Sequence, residues 1–238
     1  RLVTGVQTCA LPIFYFMYNL NRHTSLFGRS NMKQEEKSYQ SRCRILQASL
    51  KEFGAKPFEK ASVTTICDNN NLSKGLVYHY FGSKDEIFLA CVDECFDKLS
   101  KHLSQNVTIY KNDNNKTIEE YFFVRYVFFN SNPDLKGVFY NAMFQAPEHL
   151  DDKIKELHKK LDDINNRIVM KVLGTLKLRA GINIKDAEEY LTAFDEFYYS
   201  YFKKKFLSDT QSDEVVDLHD SYGHKALDFL LYGIAGQK

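Results

Sequence analysis

The sequence predicts an all-α protein in two parts, a short N-terminal unit of three helices and a larger helical bundle behind it. Two observations carry that prediction. Only four prolines and eleven glycines punctuate the 238 residues, too few for the turns of an all-β chain. Between them, apolar residues recur at helical spacing, with helix-start and helix-stop residues at the ends. A third observation divides the chain. Residues 33–84 carry nine Lys/Arg against five Asp/Glu, whereas residues 85–238 carry 20 against 26. The net charge of +1 therefore hides a basic unit joined to an acidic one, and an anionic partner such as nucleic acid is expected for the first part only.

Residues 1–31 are expected to be a non-native extension. "RLVTGVQTCALPI" has neither helical nor strand period and resembles translated sequencing-adapter read-through. "FYFMYNLNRHTSLFGRSN" mixes aromatic and polar residues without an amphipathic pattern, and Met32 then directly precedes a clean helical one. A signal peptide is the competing reading, but Pro12 interrupts its apolar run and no small-residue cleavage site is evident.

From Met32 onward the elements follow one another closely. "EEKSYQSRCRILQASLKEFG" places Ile45, Leu46, Ser49, Leu50 and Phe53 on one helical face, with Gly54 as the expected stop. Ser62 is a helix N-cap, opening a short helix through Val63, Ile66 and Cys67 that halts in "DNNN", residues 68–71. Asn tolerates the left-handed backbone of a tight turn, and Leu72 is an apolar peg within it. Ser73 caps a third helix, expected to end near Gly82, and Ser83 with Glu86 forms a capping box for a fourth. Three short helices, the last two joined by a tight turn, make a helix-turn-helix pattern over residues 32–83.

Successive helical side chains point about 100° apart, so the run Tyr78-His79-Tyr80-Phe81 cannot face one core. Val77 and Phe81 form the buried stripe, while Gly75, Leu76, Tyr78 and His79 look outward. Gly75 permits close approach of a phosphate backbone. Tyr78 and His79 can hydrogen-bond phosphates or base edges, and Leu76 can meet a thymine methyl. Ser73 with the free N–H groups of its helix, and Lys84 in the next first turn, suit an anion. Two roles stay open for Tyr80, core edge or contact, and for Ser62 and Ser83, cap or contact.

Residues 44–89, "RILQASLKEFGAKPFEKASVTTICDNNNLSKGLVYHYFGSKDEIFLA", resemble the TetR family of bacterial transcriptional regulators. The linked features are Ile45-Leu46, Phe53, Phe58, Ser62-Val63, Ile66, Ser73-Lys74-Gly75, Tyr78 to Phe81 and Ser83-Lys84. The resemblance implies a DNA interface at Ser62, Thr64, Ser73, Lys74, Gly75, Leu76, Tyr78, His79, Tyr80 and Lys84. It also implies that residues 84–238 form a ligand-binding and dimerisation bundle whose last two long helices make the dimer contact. Three positions depart from the pattern. Asn70-Asn71 replaces Ala-Gly, Pro57 stands where Gly is common, and Thr65 replaces an acidic residue that completes a helix cap.

In the acidic part, helices are expected over about 83–105, 117–130, 134–145, 148–178, 185–207 and 212–235, with a polar linker at 111–116. Aromatic residues exceed what a core stripe needs, so part of the surplus lines a pocket or a dimer contact. Phe122, Arg125, Tyr126, Phe129, Tyr140, Phe144, Phe194 and Tyr198 are the candidates for a small apolar or amphipathic ligand. Arg125 either pairs an anionic ligand or is a solvated residue, and the lysines at 203–205 read as a solvated face. Five cysteines at irregular spacing read as reduced cytosolic thiols; Cys91, Cys95 and His102 give only a faint metal hint. No apolar run approaches a membrane span, and no paired nucleophile and base, phosphate-binding glycine loop or metal motif suggests an enzyme or a cofactor. The expectation is a cytoplasmic homodimer on a near-palindromic duplex operator, a repressor released by ligand. A regulator answering to a protein partner or to no ligand, or an activator, is the alternative.

Overall fold

The computed structural model describes residues 28–206 and 212–234, and all described secondary structure is helical apart from one isolated bridge residue. The order is α1 (Gly28–Ala55), α2 (Val63–Asn70), α3 (Lys74–Tyr80), α4 (Lys84–Asn106), α5 (Asn114–Ser131), α6 (Pro133–Phe144), α7 (Asp151–Leu173), α8 (Ile184–Phe206) and α9 (Ser212–Ile234), with one-turn 3₁₀ helices at Phe58–Lys60 and Glu148–Leu150. The expectation that residues 1–31 are foreign falls largely outside the described residues.

Helices α1 to α3 form the head. Ile45, Phe53, Ile66, Val77 and Phe81 all turn inward to one buried cluster, joined by Phe58 and by Phe88 from α4. Three serines start α2, α3 and α4. Ser62 Oγ accepts from Thr65 N at 3.4 Å, Ser73 Oγ from Leu76 N at 3.1 Å and Ser83 Oγ from Glu86 N at 3.1 Å. The return bond of the expected capping box is shifted by one residue, because Glu86 Oε2 accepts from Gly82 N rather than from Ser83. The acidic residue missing at position 65 is supplied from elsewhere. Glu52 of α1 reaches over, and its Oε1 accepts the Ser62 N–H at 3.0 Å.

The turn between α2 and α3 depends on Asn71, the one described non-glycine residue with positive φ, at 52°. Leu72 follows as a buried peg. Left-handed backbone costs an ordinary L-residue roughly 1–2 kcal/mol, which Asn escapes in part and Gly entirely. Asn71→Ala is expected to lower stability by about 1 kcal/mol and Asn71→Gly to leave it level or raise it. Thermal melts of the two variants check this, and equal melting temperatures would remove the turn argument.

Behind the head, α4 is the axis of the molecule, packed on α1, α5, α6 and α7. Its buried face runs from Ile87 through Cys91, Cys95 and Leu99 to Leu103. Cys91 and Cys95 are wholly buried; burial pushes both thiols up, Cys95 to about 12, and the Cys95 thiol donates to the Leu135 carbonyl. His102 lies instead against the Phe128 ring. Helix α6 is the second strut, packed on α1, α4 and α9.

Two expectations are corrected. The seventh helix ends at Leu173 rather than 178, because Gly174 terminates it. Gly54 is no stop, since α1 runs through it to Ala55. Its missing Cβ serves packing instead: a Cβ there would stand 2.5 Å from Asp134 O of α6, and one on Gly137 would overlap the Gly54 carbonyl. The two helices cross backbone on backbone.

Candidate nucleic-acid interface and body grooves

The third helix presents its outer face because its inner face is spoken for. Val77 has no exposed surface, whereas Leu76 is 36% and Tyr78 45% exposed. Lys74, Gly75 and His79 share that exposed face, and Thr64 of α2 is exposed beside them. No atom lies within 4 Å of a Cβ built on Gly75, so this face of the helix start is open. Ser73 is also exposed, with its Oγ already engaged by the cap.

The remaining candidates are tied into the head. Tyr80 is half-buried, its hydroxyl donates to Ser38 Oγ of α1 at 3.1 Å, and its ring meets His79 edge-on at 5.1 Å. It anchors α3 against α1. Lys84 holds its ammonium 4.4 Å from the centre of the Phe58 ring, at the rim of the same surface. Ser62 is partly buried between its two cap bonds. Arg44 donates to the Asn70 carbonyl at 2.7 Å, closing the C-terminus of α2 just before the turn. Sequence reasoning missed this last contact, since nothing local links positions 26 residues apart.

In the body seven of the eight candidate ligand residues divide among three environments. Phe122 and Tyr126 line an open groove of about 320 Å³ between α5 and α9, with Phe123, Asp217, Asp220 and His224 on its walls. Phe194 lines another, about 560 Å³, between α8 and α9 with Tyr190, Phe197 and Phe229. Phe129, Tyr140, Phe144 and Tyr198 are buried among other rings; Tyr198 donates to the His219 carbonyl, and Phe144 packs on Tyr199, Phe202 and His219.

Arg125 is not the solvated residue that was one of its two expected roles. It is 4% exposed and holds Asp220 of α9 in a two-pronged ion pair, Nε to Oδ2 at 2.8 Å and Nη2 to Oδ1 at 2.9 Å. The rings of Tyr121, Phe129 and Phe139 surround the guanidinium. Burial opposes its charge, yet the Asp220 carboxylate holds its pKa above the ordinary value. Burial likewise pushes Asp220 up, but Arg125 and a hydrogen bond from His219 bring its pKa below that of an ordinary carboxylate. A lone arginine within an aromatic helix signals such a pair; its partner, 95 residues away, carries no local signal.

The fold and the exposed third helix define an all-helical protein with an N-terminal helix-turn-helix head. Comparison with known proteins is specific. Residues 45–91 match the family of bacterial regulatory proteins, tetR family. The HTH-type transcriptional repressors AcnR of Corynebacterium efficiens and Corynebacterium glutamicum are each 30% identical over 71 residues, which is 30% of this chain and 38% of theirs. The match thus spans well under half the length of these relatives. A TetR-family transcriptional regulator from Cytophaga hutchinsonii superposes with a TM-score of 0.58 at 18% identity, covering 85% of this chain and 98% of its own. FadR from Bacillus subtilis, solved with stearoyl-CoA, gives 0.56 at 16% identity, covering 81% and 98%. These two likenesses bear on the fold. Residues 45–91 are thus similar to the tetR family of bacterial regulatory proteins, and the likeness over the rest of the chain is one of fold.

Among the described residues no helix is long and apolar enough to cross a membrane.

Proposed function

We propose that the chain is a cytoplasmic, homodimeric transcriptional repressor that binds a near-palindromic DNA operator and leaves it when a small apolar or amphipathic ligand binds the body. The observation that carries this reading is the outward face of α3, where Leu76, Tyr78 and His79 stand exposed beside an open Gly75. That face fits a major groove, with base edges read by Leu76, Tyr78 and His79. Lys74, Ser73, Thr64 and Lys84 are placed for phosphates, and Tyr80 and Ser62 hold the helices that present them.

Dimerisation is supported by the aromatic faces of α8 and α9. Tyr190, Phe197 and Phe229 are each more than 60% exposed, a patch that monomers rarely leave uncovered. The ligand groove is the one between α5 and α9, lined by Phe122 and Tyr126 and backed by Arg125 through Asp220. Stearoyl-CoA in the Bacillus subtilis protein is an example of an amphipathic molecule held by this fold. Release needs only that the ligand prefer one dimer geometry over the other.

Selection from a random duplex library at a stated near-physiological salt tests the reading, because phosphate contacts make affinity salt-dependent. An enriched inverted repeat is expected; a folded dimer that enriches nothing refutes operator binding. On the enriched operator, Tyr78→Ala is expected to weaken binding by about 1–3 kcal/mol, the scale of one base contact. Its melting temperature should hardly move, because the ring is exposed. Unchanged affinity would remove Tyr78 from the interface.

A further inference from the structure

We propose that Glu52 of α1 is a positioning residue for DNA: from outside α2 it fixes the start of that helix, and with it the phosphate contact at Thr64. The consequence for DNA rests on the operator reading above; the hold on α2 does not.

A helix start leaves its first N–H groups without partners, and a complete capping box serves two of them. The N-cap hydroxyl takes the N–H three residues on, and an acidic side chain at that position takes the N–H of the N-cap itself. In α2 the second half has no local source, because position 65 is threonine. The first half is the longest of the three serine caps, 3.4 Å against 3.1 Å at both Ser73 and Ser83. Glu52 Oε1 supplies what is missing, accepting from Ser62 N at 3.0 Å across ten residues of chain. Glu52 is 8% exposed, and the same oxygen accepts from Lys56 Nζ at 2.8 Å. A capping box split between two helices ties them together, which a local one does not.

The turn of α1 that carries Glu52 is itself held. Pro57 has no N–H for the Phe53 carbonyl. Asn141 of α6 donates to that carbonyl at 2.6 Å and to the Lys56 carbonyl at 2.9 Å. Between Glu52 and Ser62, Phe58 is the apolar anchor, buried against Phe53 and Phe88. Beyond Ser62 the chain turns to the surface, where Thr64 is exposed. With Ser62 N released, the start of α2 frays, and DNA must order Thr64 as it binds.

Glu52 is also a negative charge in a head that meets a polyanion. On charge alone, its removal should tighten binding, because phosphate contacts dominate affinity. As a positioning residue, its loss should weaken binding. The two readings predict opposite signs.

The test uses the full chain, an operator enriched by the wild type, constant salt and a temperature well below every melt. Glu52→Gln keeps the acceptor and removes the charge. Glu52→Asp keeps the charge and falls one methylene short of Ser62 N. Glu52→Gln should bind no more weakly than the wild type, and Glu52→Asp roughly fivefold more weakly, the scale of one lost helix cap. Adding Thr65→Glu to Glu52→Asp puts the acid inside α2 and should restore affinity. Should Glu52→Asp fold poorly, Thr65→Glu is compared with Thr65→Glu plus Glu52→Ala. Equal affinities there uphold the proposal, and a loss on removing Glu52 overturns it. Hydrogen exchange over residues 58–66 reads the helix start without DNA, and of these variants only Glu52→Asp should exchange faster than the wild type. Unchanged exchange in a folded Glu52→Asp overturns the proposal, whatever it does on DNA. Faster exchange with wild-type affinity overturns it too, since Glu52 would then be a cap and nothing more. A Glu52→Gln as weak as Glu52→Asp assigns the effect to the charge pair with Lys56 and likewise overturns it. Faster exchange in Glu52→Asp that Thr65→Glu reverses, with no operator enriched by the wild type, upholds the hold on α2 and overturns the operator reading instead.

Discussion

Gly137→Ala is expected to lower the melting temperature by on the order of 10 °C, although it puts a better helix former in the middle of a helix. Replacing an interior glycine by alanine gains about 1 kcal/mol in an unconstrained helix. Here the new Cβ would overlap the oxygen, carbon and Cα of Gly54, all backbone atoms that no rotamer can move. The helices α1 and α6 must therefore separate. Overpacking of this kind costs about 1–3 kcal/mol. Separation also strips the two Asn141 hydrogen bonds from buried carbonyls, for a further 1–3 kcal/mol or so. The propensity gain is outweighed, leaving a net loss of about 3 kcal/mol, or roughly 10 °C for a domain of this size. Gly75→Ala is the control, because its Cβ meets nothing. It should hold or raise the melting temperature while weakening operator binding. Calorimetry on the three proteins decides, and a Gly137→Ala melt at or above the wild type would mean that the helices do not touch there.

The head was legible in the sequence because its structure is set by local chemistry. Each serine cap bonds a backbone N–H three residues on, and the left-handed turn is a property of Asn71 itself. The split of Val77 and Phe81 inward from Leu76 and Tyr78 outward follows from helical period alone. Even the missing acidic residue at position 65 marked a real gap, though only the fold shows Glu52 filling it. In the body the helices were legible and their partners were not. Tyr140, Phe144 and Tyr198 read the same as pocket or core by spacing, and burial among rings from other helices decides their place. Gly137 went unread in the sequence, as one isolated glycine within the helical pattern of 134–145. What it packs on lies 83 positions earlier and leaves no trace in its neighbourhood.

Asp220→Asn is expected to destabilise the protein by about 3–5 kcal/mol, the usual loss when one partner of a buried ion pair is removed. The reason lies in what is left. Arg125 cannot shed its proton in the accessible range, so its charge stays buried among Tyr121, Phe129 and Phe139 with a neutral amide opposite. Ring faces offset only part of that desolvation, about 0.5–2 kcal/mol at most for a cation over a ring. Removing both charges behaves differently, because an apolar pair of similar volume has nothing to desolvate. Arg125→Met combined with Asp220→Leu should recover most of the loss, and a double-mutant cycle by denaturant melts measures the difference. The pair also fixes a pH dependence. The Asp220 pKa is depressed on folding, so below the ordinary carboxylate value the unfolded chain binds its proton more readily than the folded one. Its contribution is complete above about pH 4 and disappears as the pH falls through the folded value. The wild type should therefore lose stability on acidification below about pH 4 more steeply than the Met/Leu double variant. Parallel acid titrations of the two would show that α5 and α9 are not joined by this charge pair. A double variant no more stable than Asp220→Asn would show that the packing around the guanidinium, rather than its charge, holds the two helices together.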